Sequence, residues 1–197
     1  MDSVVDAVVA LAASPWALLV LACLCVVDSI VPPLPTESVV IALVVLGATG
    51  GGPHPVAIGA TIALAATAGD ALAYLLGRAL ARRRLLRIRR VRTLARQAST
   101  LLRLRGASVV VAARFVPGLR VAVNATAGAV RMDARAFVPL IATAATLWAT
   151  MTVLIGLGAA WLLGDSPVLA AGIGIAVGLA VGLAIDAVLR RRGVASS

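Results

Sequence analysis

Four ionisable side chains stand inside otherwise apolar sequence, in two groups of opposite sign. Arg114 and Arg120 bracket Phe115-Val116-Pro117-Gly118-Leu119, and Asp28 and Glu37 bracket a stretch that holds Pro32, Pro33 and Pro35. An ionisable group at membrane depth costs at least ~2.5–3.5 kcal/mol on insertion scales, so charges placed at such breaks need compensation and a use. A guanidinium offers a planar fork of donors that stays charged when buried, and broken helices add oriented N–H groups. Together these suit a phosphate, so the ligand expected at Arg114 and Arg120 is an anionic head group. Carboxylates beside it would repel ionised phosphate and would take up a proton more readily once desolvated, which is chemistry for coupling to a proton gradient. The plainer alternative makes Asp28 and Glu37 internal ion partners of the two arginines, holding the broken segments together. Both readings hold if a ligand displaces part of that pairing.

Three further polar residues could support such a site. Asp70 and Tyr74, one helical turn apart, either join the polar network or satisfy each other inside a helix bundle. Asn124, four residues past Arg120, either donates to a head group or makes a helix-packing hydrogen bond. His54, in a Gly/Pro-rich stretch, reads as a solvated loop residue. Cys23 and Cys25 would point about 200° apart on a helix, so they read as buried inert thiols and not as a disulfide. One histidine and two cysteines are too few for a metal site, and no metal or other cofactor is expected. A phosphatase would need a nucleophile or metal set near the arginines, and the histidine lies far from them in sequence. The expected activity is therefore transport, not catalysis.

Composition says what must position these groups. With 61% hydrophobic and 13% charged residues and a mean hydropathy of +1.06, the chain is an integral membrane protein. The net charge of +10 comes from 18 arginines, ten of them between Arg82 and Arg105. With 3% aromatic residues there is no stacking platform for nucleic acid, and the basic run fits a membrane face with anionic lipid.

Apolar run lengths predict one all-α polytopic membrane domain over the 197 residues. Residues 1–14 form an amphipathic interfacial helix, and 16–48 a re-entrant hairpin whose arms are each too short to span. Residues 56–80 cross completely, 82–105 lie on the membrane as a basic amphipathic helix, and 107–130 form a second re-entrant hairpin. Spans 137–163 and 168–189 follow, then a tail at 190–197. No arginine precedes Arg78, thirteen lie between Arg78 and Arg135 apart from Arg114 and Arg120, and three stand at 190–192. The positive-inside rule then makes the basic run and the C-terminus cytoplasmic, and the two hairpins open to opposite faces, as in an inverted repeat. Asp2 and Asp6 argue against a cleavable leader. Gly174, Gly178 and Gly182 form a small-residue stripe that serves either intrachain packing or a homo-oligomer.

At three places the sequence resembles the DedA family, also called VTT-domain or SNARE-associated membrane proteins. The matching stretches are the acid, Pro-Pro-x-Pro and second acid from Asp28 to Glu37; Gly69-Asp70-x-x-x-Tyr74-x-x-Gly77-Arg78; and Arg114-Phe115-x-Pro117-Gly118-x-Arg120 followed by Gly128 and Met132. The resemblance covers roughly residues 20–150. It implies two opposed re-entrant hairpins and a role in lipid translocation, with bacterial members implicated in returning undecaprenyl phosphate across the cytoplasmic membrane. The family's membrane-embedded acids fall on Asp28 and Glu37, and its essential arginines on Arg114 and Arg120. Many relatives have Glu where this chain has Asp28, a side chain one methylene shorter. The rival expectation is a proton-coupled exporter of small ions or drugs, using the same acids with the arginines as counter-charges.

Overall fold

The computed structural model describes residues 12–31, 36–80, 110–114 and 119–162. Most of the interfacial segment, the basic run 82–105, the run 168–189, the tail and both proline-bearing tips lie outside the described residues.

Every described element is helical: α1 (Ala17–Asp28), α2 (Thr36–Ala48), α3 (Pro55–Leu80), α4 (Leu119–Ala129) and α5 (Ala134–Leu162). Residues 110–113 add one helical turn that ends at Arg114. The 26 residues of α3 and 29 of α5 make both long and apolar enough to cross a membrane. At 1.5 Å per residue they measure about 39 and 44 Å, against a hydrocarbon core of about 30 Å. By the same measure α1 and α2, with 12 and 13 residues, reach only about 18 and 20 Å.

Local sequence explains where the long helices start. His54 caps α3 through its carbonyl, which accepts from Ile58 N at 3.1 Å, and its Nδ1, which accepts from Val56 N at 3.3 Å. Pro55 follows at the first helical position, where no N–H is needed. Asp133 caps α5, its Oδ1 accepting from Arg135 N and its carbonyl from Ala136 N and Phe137 N. Helix α5 therefore begins three residues before the apolar run at 137, and Arg135 rides on its first turn and does not belong to the preceding loop.

Helix α3 is the hub and packs against all four other helices. Its buried face carries Ile58, Ile62, Ala65, Ala66, Gly69, Asp70, Ala73, Tyr74 and Gly77, a single helical stripe. The opposite face leaves Leu64, Leu72, Leu75 and Leu76 exposed, with Leu64 at 73%, as expected of side chains that meet lipid. One apolar cluster joins Leu21, Val40, Val44, Ile58, Ile62 and Trp148. A second joins Tyr74, Val110, Val123, Phe137 and Ile141. Along α3, Asp70 falls between the two clusters.

The α3–α4 crossing depends on two glycines. A Cβ on Gly77 would stand 1.9 Å from the carbonyl oxygen of Ala125, and one on Gly128 would stand 1.9 Å from that of Tyr74. The helices thus meet backbone to backbone, which brings the Arg120 end of α4 close to the Asp70 level of α3. Past Gly128 the chain turns through Arg131, whose φ of 56° is the left-handed value of a helix C-cap. Arg131 N donates to Gly128 O and Met132 N to Ala127 O, which closes the turn.

Candidate functional site: two buried arginine–aspartate pairs

Helix α1 ends at Asp28, and α4 begins one residue before Arg120. The carboxylate therefore sits at the negative end of one helix dipole and the guanidinium at the positive end of another. Each charge is unfavourable on its own helix, and bringing the two ends together cancels both penalties. Arg120 Nη2 donates to Asp28 Oδ2 at 2.7 Å and to the Asp28 carbonyl at 2.7 Å. Both residues are buried, with 8% and 6% exposure. The first proline-bearing break is thus held directly to the second.

Arg114 takes a different partner. Its Nη1 makes an ion pair with Oδ2 of Asp70, both side chains being almost fully buried. The guanidinium carbon lies 4.8 Å from the centroid of the Trp148 ring on α5, a cation–π contact in a desolvated setting. Asp70 is also within electrostatic reach of Arg120 and Asp28. Two arginines and two aspartates therefore form one charge-balanced group between the two apolar clusters. The α1 end approaches α3 closely here because residue 69 is glycine: a Cβ there would stand 2.6 Å from the Ser29 side chain.

The remaining candidates divide. Glu37 is exposed in the first turn of α2, a position that suits its charge to the helix dipole, and it makes no ion pair among the described residues. Asp70 and Tyr74 do not satisfy each other. The Tyr74 hydroxyl donates to the carbonyl of Met132 at 2.6 Å and accepts from Arg78 Nη1 at 3.3 Å, while its ring stacks on Phe137 at 4.9 Å. Tyr74 thereby fastens the turn after α4 to the middle of the bundle. Asn124 is buried one helical turn beyond Arg120. Cys25 is buried within electrostatic reach of Arg114 and Arg120, whereas Cys23 is exposed; the expectation that both thiols are buried fails because a helix turns them to different sides. Among the described residues no three His, Cys, Asp or Glu side chains converge as metal ligands.

Sequence reasoning missed Trp148 beneath Arg114 and Ser29 beside Gly69. Trp148 stood in mid-span, away from the interfacial position usual for tryptophan, and that placement was the available signal.

Each of the two buried arginines is matched to an aspartate, Arg120 to Asp28 at the end of α1 and Arg114 to Asp70 inside α3. Residues 34–158, well over half of the chain, match the model of the VTT domain, which is the domain of the DedA family, and the chain belongs to that family. Searches of curated proteins and of solved structures each returned no match.

Proposed function

We propose that this protein is a flippase that carries a polyprenyl phosphate, of the undecaprenyl phosphate kind, across the bacterial cytoplasmic membrane. The observation that carries this reading is the burial of two guanidiniums at helix breaks, each paired with a carboxylate that an incoming phosphate can join or replace. Phosphate offers three or more oxygens in the geometry that the arginine fork accepts. Arg120 lies in the first turn of α4, where the positive end of the helix dipole adds to the attraction for an anion. Coupling to a proton gradient falls to Asp28 and Glu37, the two acids of the first hairpin. Glu37 acts at the mouth of the first hairpin, and Asn124 and Tyr74 support the head-group site.

In this reading α1–α2 and residues 107–130 are re-entrant hairpins that open to opposite faces, within a single membrane domain whose C-terminus is cytoplasmic. The prenyl tail stays in lipid between helices while the head group crosses. No chemical step is required of the protein. His54, the only histidine, caps α3 sixteen residues before Asp70, about 24 Å along the helix axis. A proton-coupled exporter of small ions is the second reading, and it is favoured by one observation: the four buried charges already balance without a ligand.

The two readings part in reconstituted vesicles. Arg120→Lys keeps the charge but loses the fork, and it is expected to slow translocation of a fluorescent prenyl phosphate by about tenfold or more, the worth of one charge-assisted hydrogen bond. An unchanged rate, or proton-driven ion flux in vesicles free of prenyl phosphate, would reject the flippase.

A further inference from the structure

The two ion pairs are not equivalent. Arg120 and Asp28 leave no fully buried side-chain atom unpartnered among the described residues, whereas Arg114 Nε and Asp70 Oδ1 are both buried without a hydrogen-bond partner there; the Ser29 hydroxyl lies close to Asp70, but its one proton is donated to the Cys25 carbonyl at 3.1 Å. Each belongs to a side chain with at most 3% exposure. A buried polar atom left unmet costs about 1–3 kcal/mol, and more when it carries charge. The Asp70–Arg114 contact is therefore a half-made bridge, with one unspent donor and one unspent acceptor flanking it.

A ligand that completes it must present an anionic oxygen to Arg114 Nε and a hydroxyl to Asp70 Oδ1. A phosphate monoester with one ionised oxygen carries both on one phosphorus atom. A phosphodiester, the head-group linkage of ordinary phospholipids, has the anionic oxygen but no P–OH. The fully ionised monoester has no P–OH either, and it brings a second negative charge towards Asp70. The charged groups around Asp70 are Arg114, Arg120 from α4 and Asp28 from α1, with the Ser29 hydroxyl beside them; α5 contributes the uncharged Trp148 against Arg114. That set is neutral overall, so one added negative charge is tolerated better than two.

Resting on the phosphate-binding reading above, we infer that Asp70 is a specificity-determining residue that selects a singly ionised phosphate monoester over phosphodiesters. One proton is held between Asp70 Oδ1 and a phosphate oxygen while Arg114 Nε donates to another oxygen of the same group.

The test is equilibrium binding to the full chain in lipid nanodiscs, with farnesyl phosphate and its methyl diester as probes. At pH about 6, near the second ionisation of a phosphate monoester, the monoester is expected to bind about tenfold more tightly than the diester. Raising the pH by about two units removes most of the P–OH form and is expected to erase that advantage. In Asp70→Asn the ratio of the two affinities is expected to fall towards one. Equal binding of both probes to the wild type overturns the inference and leaves the phosphate site standing, as would be the case if only water bridged the pair. Failure of both probes to bind overturns the phosphate site itself. A preference that persists in Asp70→Asn overturns the assignment to Asp70. Should that variant not fold, the wild-type pH series decides, and a monoester advantage independent of pH is the contradicting result.

Discussion

Asp70→Leu is expected to destabilise the protein by about 3–5 kcal/mol, whereas Asp70→Leu combined with Arg114→Met is expected to cost under about 1 kcal/mol or to stabilise it. The reason lies in how the charge is buried. Arg114 has Asp70 as its carboxylate partner and the Trp148 face as its other support, and its side chain is almost fully buried. Removing the carboxylate alone leaves a guanidinium in apolar surroundings without its counter-charge, and the whole desolvation penalty of that ion falls on the folded state. Removing both members exchanges a desolvated pair for apolar contacts of similar volume, and such exchanges are often neutral or favourable. Unfolding in mixed detergent micelles, read by tryptophan fluorescence, measures the single and double variants. Equal losses in the two would show that the pair is not coupled and that Asp70 matters only through its own packing.

The second large effect is expected at the α3–α4 crossing. Gly128→Val should lower stability by about 3 kcal/mol or more, because the atom that its Cβ meets is the backbone carbonyl of Tyr74 and not the yielding end of a side chain. Relief requires the two helices to separate, and separation at this level also stretches the Tyr74 bond to Met132 and the reach of Arg120 to Asp28. Gly77→Val meets the carbonyl of Ala125 and should behave alike. Yields of monodisperse protein and the same micelle unfolding curves report it. Wild-type stability in either variant would mean that the crossing is looser than the carbonyl distances state.

Much of this was legible in the residues. Charged positions inside apolar runs marked Asp28, Arg114 and Arg120 before any geometry was known, and helix lengths followed from where proline, glycine and charge interrupt the hydropathy. The boundaries of α3 and α5 came within three residues of the apolar runs, since capping by His54 and Asp133 adds only the first turn. Partner choice was not legible. Both Glu37 and Asp70 were available to Arg114, and the choice depends on which residue α3 presents at the level of residue 114. That level is set by the backbone contact at Gly77 and Gly128, a tertiary fact with no periodicity to betray it. The spacing of Gly69, Asp70, Tyr74, Gly77 and Arg78 contained the answer in disguise. Four of these five positions are buried along the inward stripe of α3, and Arg78 reaches back to the Tyr74 hydroxyl. Each has a different neighbour there, among them Ser29, Arg114, Met132 and Ala125.

The decisive question is whether the two buried pairs bind and move a ligand or merely hold the helices together. The most direct measurement uses a variant in which both pairs become apolar at once, Asp28→Leu, Asp70→Leu, Arg114→Met and Arg120→Met, reconstituted beside the wild type in vesicles with a fluorescent prenyl phosphate. Because paired removal is tolerated by the fold, the variant is expected to insert and remain monodisperse while its translocation falls to that of protein-free vesicles. Translocation at the wild-type rate by this charge-free protein would contradict the account and reduce Arg114 and Arg120 to structural ties.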